Sequence, residues 1–186
     1  MKVNVYDFDH TVYAGDSSVD FYLFCVKKQP DILRFLPGQA SAAIRCSARR
    51  LDKTAAKARF FSFLAGIEDT ERMASEFWGI NRRKIQPWYL EQKKDTDIVI
   101  SASPEFLLKP ICNELNIRLI ASLIDEKTGK FKGENCYGKE KLYRLNREYP
   151  NIEVNNFYSD SQSDAPLARF AEHSYLVKSD KFEKFG

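Results

Sequence analysis

The chain has few of the residues that soft-metal and redox sites need. Its 186 residues include four cysteines and two histidines. Cys25, Cys46, Cys112 and Cys136 are widely spaced and form no Cys-x-x-Cys pair, so they read as reduced, buried thiols. His10 and His173 alone give a zinc site little support. Long apolar runs are missing too. Nothing approaches the roughly 18 consecutive apolar residues of a membrane span, and the N-terminus enters a strand without an apolar signal core. The expected compartment is the cytoplasm. There is no internal repeat, no low-complexity linker, and no twelve-residue calcium loop with a central Gly and a terminal Glu.

What is present points to a packed globular protein. Hydrophobic residues make up 44% of the chain and 14 are Phe, and 186 residues can hold one domain with a sizeable core or a core domain with a smaller insertion. The net charge of +3 is too small to suggest nucleic acid. It is unevenly spread, however. Lys27, Lys28, Arg34, Arg45, Arg49, Arg50, Lys53, Lys57 and Arg59 face only Asp31 and Asp52 between residues 27 and 59, a local +7. Such a segment is either a solvated helical face or a surface that draws in an anionic substrate or lipid headgroup.

The order of elements sets the fold class. A strand over about residues 3–8 is followed by some seventy-five residues of helical texture. Helices are expected over 16–28, 40–51, 54–65 and 69–91, punctuated by Pro30 and by Pro37-Gly38. Strands are expected at 97–100, 117–121, 154–158 and 175–177. A hairpin is expected over 122–133, and helices after Ser103-Pro104, over 139–148 and over 165–171. Alternating strands and helices imply an α/β fold, a doubly wound and mostly parallel sheet. The first helical block is too long for one crossover, so residues 15–91 should form a small helical cap on a core built from 1–14 and 92–186.

In such sheets ligands bind beyond the carboxyl ends of the strands. Val3-Asn4-Val5-Tyr6-Asp7-Phe8-Asp9-His10-Thr11 runs an apolar strand into two carboxylates on the same side of an extended chain. Like charges so close call for a cation between them or a proton on one. Taken singly, each cluster has a plain structural reading. Asp9 could cap a turn, Ser101 a helix, and Asp160 and Asp164 the start of another helix. Ser103, directly before Pro104, reads as a helix N-cap. Jointly, an acidic pair, a hydroxyl, a lysine and a second acidic pair at successive strand ends point to one chemical site.

This ordered set resembles the haloacid dehalogenase superfamily of phosphohydrolases, and within it the phosphoserine-phosphatase-like subfamily IB, over nearly the whole chain. Asp7-Phe8-Asp9-His10-Thr11 matches the first motif and Ser101 in Ile100-Ser101-Ala102-Ser103-Pro104 the second. Lys141, or alternatively Lys139, matches the lysine after Gly133-Glu134-Asn135-Cys136-Tyr137-Gly138. Tyr158-Ser159-Asp160-Ser161 through Asp164-Ala165-Pro166-Leu167 matches the fourth motif. His10 stands where many members carry Gly.

The resemblance implies a Rossmann-like core with a type-1 cap and an Mg²⁺-dependent phosphomonoesterase acting on a small phosphorylated metabolite. It assigns Asp7 as nucleophile and Asp9 as acid and base. Mg²⁺ would be held by Asp7, the Asp9 carbonyl and Asp160, supported by Asp164. Ser101 and Lys141 would bind the phosphoryl group, with backbone N–H groups near Phe8 and Ala102 as further donors. Thr11, Ala102 and Asp16 fall on the substrate side. Asp16 matches the position of a substrate-reading Glu, and is equally readable as a helix cap. Two lesser readings remain: a lipid phosphate phosphatase at a membrane surface, and a non-catalytic anion-binding module.

Overall fold

The computed structural model describes residues 2–179 and 181–185. A six-stranded sheet forms its centre, in the order β3-β2-β1-β4-β5-β6. The strands are β1 (Lys2–Tyr6), β2 (Ile98–Pro104), β3 (Arg118–Ser122), β4 (Glu153–Ser159), β5 (His173–Lys178) and β6 (Lys181–Lys184). The first five run parallel and β6 pairs antiparallel with β5. β1 lies between β2 and β4, so the strand order reverses at its carboxyl end, and a crevice opens there. The doubly wound, mostly parallel expectation therefore holds. The edge strand β6 has no apolar alternation to mark it, and all four of its residues are exposed.

Between β1 and β2 the chain is mostly helical: α1 (Ser17–Lys28), α2 (Leu36–Ser47), α3 (Lys53–Phe60), α4 (Thr70–Asn81) and α5 (Pro87–Gln92), joined by turns of which several are 3₁₀. Several boundaries differ from the sequence expectation: α2 ends four residues early, at Ser47, and α3 passes into a 3₁₀ turn after Phe60. α2 begins four residues earlier, because Pro37 occupies its first turn, where a missing N–H costs nothing. The helix expected over 69–91 breaks at Ile85-Gln86, where Ile85 forms an antiparallel bridge with Tyr13. Gln86 N–H donates to Val12 C=O at 2.8 Å and Ala14 N–H to Lys84 C=O at 2.8 Å. The two ends of the helical insertion thus form a short two-stranded neck.

The remaining helices are α6 (Glu105–Glu114), α7 (Lys139–Glu148) and α8 (Ala165–Phe170). The hairpin expected over 122–133 is present as an Ile124–Phe131 bridge. Its Gly129 has φ 72°, and a Cβ there would lie 2.2 Å from Phe61 C=O. Only glycine lets the hairpin approach the insertion so closely.

One aromatic cluster joins the insertion to the sheet. Phe21, Phe61, Phe63, Phe77 and Trp78 pack with Tyr6, Phe8, Val12 and the α6 residues Leu107, Leu108 and Ile111. Trp78 Nε1 also donates to Leu107 C=O at 2.5 Å. The opposite face of the sheet has its own cluster of Val3, Val5, Ile98, Ile100, Phe157 and Leu167. All four cysteines are free, with Cys25, Cys112 and Cys136 buried and Cys46 half-buried. Burial pushes the Cys25 thiol up to about 12 and the Cys136 thiol up to about 11, which makes them packing residues rather than nucleophiles. Among the described residues no helix is long and apolar enough to cross a membrane.

Asp97, just before β2, is fully buried. One carboxylate oxygen accepts Lys94 N–H at 2.9 Å, and this bond and the Asn4 side chain offset its burial only in part. Desolvation holds its carboxyl above the ordinary carboxylate range. Ionised Asp97 therefore weakens the fold above that folded-state value, and the penalty fades as pH falls through it towards ~3.9, the unfolded value. Asp97→Asn should raise the thermal midpoint at pH 7–8 by about 2–4 °C, or ~1 kcal/mol at this chain length. The gain should vanish near pH 4 in a pH series of melting curves.

Candidate active site

The site is assembled at the carboxyl ends of β1, β2 and β4. Asp7 follows β1 directly, and its N–H extends the ladder by donating to Tyr158 C=O at 2.8 Å. The chain then turns sharply. His10 adopts φ 56° and its N–H donates to Gly15 C=O at 2.9 Å. Glycine adopts this left-handed conformation at no steric cost, and His is among the side chains that tolerate it. The turn brings Asp9 back over the crevice.

Lys141, on the first turn of α7, is the centre of the charge arrangement. It is 2% exposed, and its Nζ lies 2.9 Å from Asp7 Oδ1 and 2.6 Å from Asp164 Oδ2. Burial works against the ammonium, but the two carboxylates and their hydrogen bonds outweigh it and raise its pKa above the ordinary lysine value. Asp164 is anchored further by the Ser159 hydroxyl at 2.8 Å. Lys139 is exposed. Of the two lysines the sequence offered, the structure brings Lys141 to the site.

Asp160, half-buried after β4, has a carboxyl pushed up to about 6, first by desolvation and then by the Asp7 charge, with His10 and Lys141 opposing. Asp164 is raised by burial as well, with Lys141 opposing, and its Oδ1 is buried without a partner. Desolvated acids that repel one another, plus an orphaned carboxylate oxygen, are what a hard cation would relieve. Among the described residues no group of three His, Cys, Asp or Glu side chains forms a ready cation cage. A cation here would rest on two carboxylates, completed by backbone oxygen and water.

Asp9 is bound at both oxygens. Ser17 N–H, at the start of α1, donates to Oδ1 at 2.7 Å, and the Ser103 hydroxyl donates to Oδ2 at 2.5 Å. Burial raises its pKa, the Asp16 charge adds to this, and the Ser103 and Ser17 bonds oppose it. Ser103 corrects one expectation. It does not cap a helix: β2 continues through Pro104, and that residue, without a side-chain bond, precedes α6. The register of β2 against β3 shifts between Ser101 and Pro104, and the bulge aims Ser103 at the crevice. Ser101 is 1% exposed and its Oγ accepts Ser103 N–H at 3.0 Å.

The other expected contacts are mixed. Phe8 N–H is engaged by Asp7 Oδ1 at 2.8 Å, so it is not free for a ligand in this state. Thr11 is fully enclosed and its hydroxyl has no partner. Asp16 caps α1 by accepting Val19 N–H at 3.0 Å while its charge bears on Asp9.

Some site residues escaped sequence reasoning, Ser17 at the start of α1 among them. Lys57, on α3, reaches down and donates from Nζ to Ala102 C=O at 2.8 Å. Desolvation lowers its pKa, opposed by Asp9, Asp16 and Asp7 and assisted by Lys141. The residue is half-buried. In the sequence it was one of nine cations in a run, and nothing local set it apart. The helical insertion therefore delivers a cation to the mouth of an acidic crevice.

An acid–lysine centre at the switch point of a parallel sheet, roofed by helices inserted after the first strand, defines a doubly wound α/β enzyme. The model of the haloacid dehalogenase-like hydrolases matches residues 5–169, and the chain belongs to that family. No curated protein sequence matches it. Among solved structures, a protein of unknown function from Bordetella pertussis Tohama I superposes with a TM-score of 0.77 at 21% identity, covering 93% of this chain and 88% of that one. A phosphoserine phosphohydrolase-like protein from Francisella tularensis subsp. tularensis SCHU S4 gives 0.56 at 19%, covering 94% and 86%. A phospho-aspartyl intermediate analogue of phosphoserine phosphatase gives 0.58 at 14%, covering 93% and 84%. These likenesses show a shared, phosphoserine-phosphatase-like fold.

Removing Lys141 strands two buried carboxylates. Lys141→Met should lower the unfolding free energy by about 3–5 kcal/mol, whereas exposed Lys139→Ala should change it by less than ~0.5 kcal/mol. Urea denaturation of both variants would check the contrast.

Proposed function

We propose that the protein is a phosphomonoester hydrolase that works through an aspartyl-phosphate on a small phosphorylated metabolite. The observation that carries this reading is Lys141 held between Asp7 and Asp164. It holds the Asp7 carboxyl in one orientation and supplies positive charge where a phosphoryl group would meet it. Asp7 attacks phosphorus in line, and the phosphorus–oxygen bond to the leaving group breaks as the acyl phosphate forms. Asp9 gives its proton to the departing oxygen. In the second half it takes a proton from the water that attacks the acyl phosphate, which returns Asp7 free and releases inorganic phosphate. Ser101 and Lys141 hold the phosphoryl oxygens.

The donor set fits Mg²⁺, which would be held by the carboxylates of Asp7 and Asp160 and the Asp9 carbonyl, with Asp164 in support. When bound, the ion would neutralise the crowded acids and the incoming phosphate dianion. Residues 15–91 serve as a cap over this crevice. Its contribution to specificity is Lys57, which sits among Asp7, Asp9 and Asp16 and favours leaving groups that carry an anionic substituent. A non-catalytic module would have no physical need for this set of carboxylates around one lysine.

A second reading, hydrolysis of a phosphorylated lipid at a bilayer surface, is favoured by one observation. Leu36, Ala40, Ala43 and Ile44 form an apolar stripe along the outer face of α2, with Leu36 48% and Ile44 71% exposed. Exposed Arg34, Arg45, Arg49 and Arg50 surround it. The side chain of Lys53, counted with them in the sequence, lies outside the described residues. This combination suits an anionic interface.

Purified protein with Mg²⁺ should release phosphate from p-nitrophenyl phosphate and stop on addition of EDTA. Asp7→Asn should lose at least ~10³-fold in kcat with an unchanged circular dichroism spectrum; near-normal turnover would remove Asp7 as nucleophile. Under the second reading the protein should co-sediment with phosphatidylglycerol vesicles at low salt, and Leu36→Ser/Ile44→Ser should abolish this. Equal partition into phosphatidylcholine vesicles, or none into either, would leave only the soluble substrate.

A further inference from the structure

Asp9 does not stand alone in the crevice. Its Oδ2 accepts the Ser103 hydroxyl at 2.5 Å, and Ser103 Oγ lies 2.9 Å from Ser18 Oγ. Ser103 is 1% exposed and Ser18 4%. Both oxygens of Asp9 are therefore tied, directly or through one hydroxyl, to the first two residues of α1: Oδ1 to Ser17 N–H, and Oδ2 to Ser18 by way of Ser103. The helix belongs to the insertion, while Ser103 belongs to a core strand. Since the Ser103 hydroxyl donates to Asp9, the bond between the two serines runs from Ser18 O–H to a lone pair of Ser103.

We propose that Ser18 and Ser103 are positioning residues: a buried hydroxyl link through which the seated insertion holds the Asp9 carboxyl in the orientation that protonates the leaving oxygen. The proposal rests on the reading of Asp9 as acid and base given above. The geometry supports it on three counts. The link is built at some cost, because β2 must bulge between Ser101 and Pro104 to aim Ser103 at Asp9. It is anchored from below, because Ser103 N–H is held by Ser101 Oγ at 3.0 Å. It is also shared across two units, so displacement of α1 removes both the Ser17 donor and the Ser18 support in one movement. A hydroxyl suits this place better than an amide or an ammonium. It donates to Asp9 when the carboxylate is ionised and can turn to accept when the carboxyl is protonated, so one link serves both halves of the reaction. A carboxyl left to rotate would lose alignment with the ester oxygen, and a misplacement of about 1 Å can cost ~10²-fold.

The test exploits the chemistry of leaving groups. A nitrophenolate departs with little need of a proton, whereas an unsubstituted phenolate needs the acid more. Full-length Ser103→Ala, Ser18→Ala and Asp9→Asn would be compared with the unaltered protein, in Mg²⁺, on a series of substituted phenyl phosphates. Expected for Ser103→Ala is a loss of kcat/KM, which reads the phosphorylation half alone, on phenyl phosphate exceeding that on p-nitrophenyl phosphate by about tenfold or more. Ser18→Ala should show the same slope more weakly, and the double variant should be no worse than Ser103→Ala alone. An equal loss across the series in both serine variants, alongside a steepened series in Asp9→Asn, would overturn the link and leave the acid assignment standing. A flat series in Asp9→Asn would instead bring down the acid assignment itself. Ser18→Ala lies outside the strand bulge, so it keeps the question open to measurement if Ser103→Ala fails to fold.

Discussion

One buried ammonium organises the functional half of this protein. Lys141 binds the end of β1 to the segment after β4 through Asp7 and Asp164, and does so from the first turn of α7. Three distant parts of the chain are thereby brought to one point. Neither acid could be kept so dry beside the other without it, because like charges at low dielectric repel strongly. The same helix carries a second buried cation, Arg144, whose guanidinium donates to Ala121 C=O at 2.9 Å and to Glu134 C=O. α7 is thus held to the core as much by cations as by apolar side chains, with Leu145 as its fully buried aliphatic residue.

The helical insertion is not a loose lid on this machinery. Its aromatic residues share a single cluster with the sheet face and α6, and among the described residues it meets the crevice through polar contacts that include Ser17 on Asp9, Ser18 on Ser103 and Lys57 on Ala102. The apolar contacts supply the adhesion, while the polar ones are directional. Such a division lets packing tolerate substitution while the geometry of the crevice stays fixed.

Much of this was legible from local pattern. The strand ends could be read because hydrophobic runs stop at carboxylates and hydroxyls, and a parallel sheet gathers its carboxyl ends on one side. Asp7, Asp160 and Asp164 are legible that way, whereas Lys141 comes from the family resemblance with Lys139 as its alternative, and the structure joins Lys141 to Asp7 and Asp164. What could not be read depends on long-range placement. Ser103-Pro104 has the look of a helix start, and only the bulge against β3 reveals that Ser103 serves Asp9 instead. Lys57 lies in a run of cations whose members are locally alike. Pro37-Gly38 resembles a break, yet opens α2. Ile85-Gln86 has no strong breaker before Pro87, and it is pairing with residues 12–14 that ends the preceding helical stretch. β6 is charged and exposed, so it lacks the period-two signal that marks the buried strands.

The two-stranded neck at residues 12–14 and 84–86 has a consequence for how this architecture can diversify. Because the chain leaves the sheet and returns at the same place, the register of β1 against its neighbours is indifferent to what lies between. Lengthening, shortening or recasting the outer helices changes the loop-closure entropy only logarithmically. A lineage built on this plan is free to remodel its outermost turns for new surfaces and new molecules, provided the few residues at the base of α1 keep their grip on the crevice.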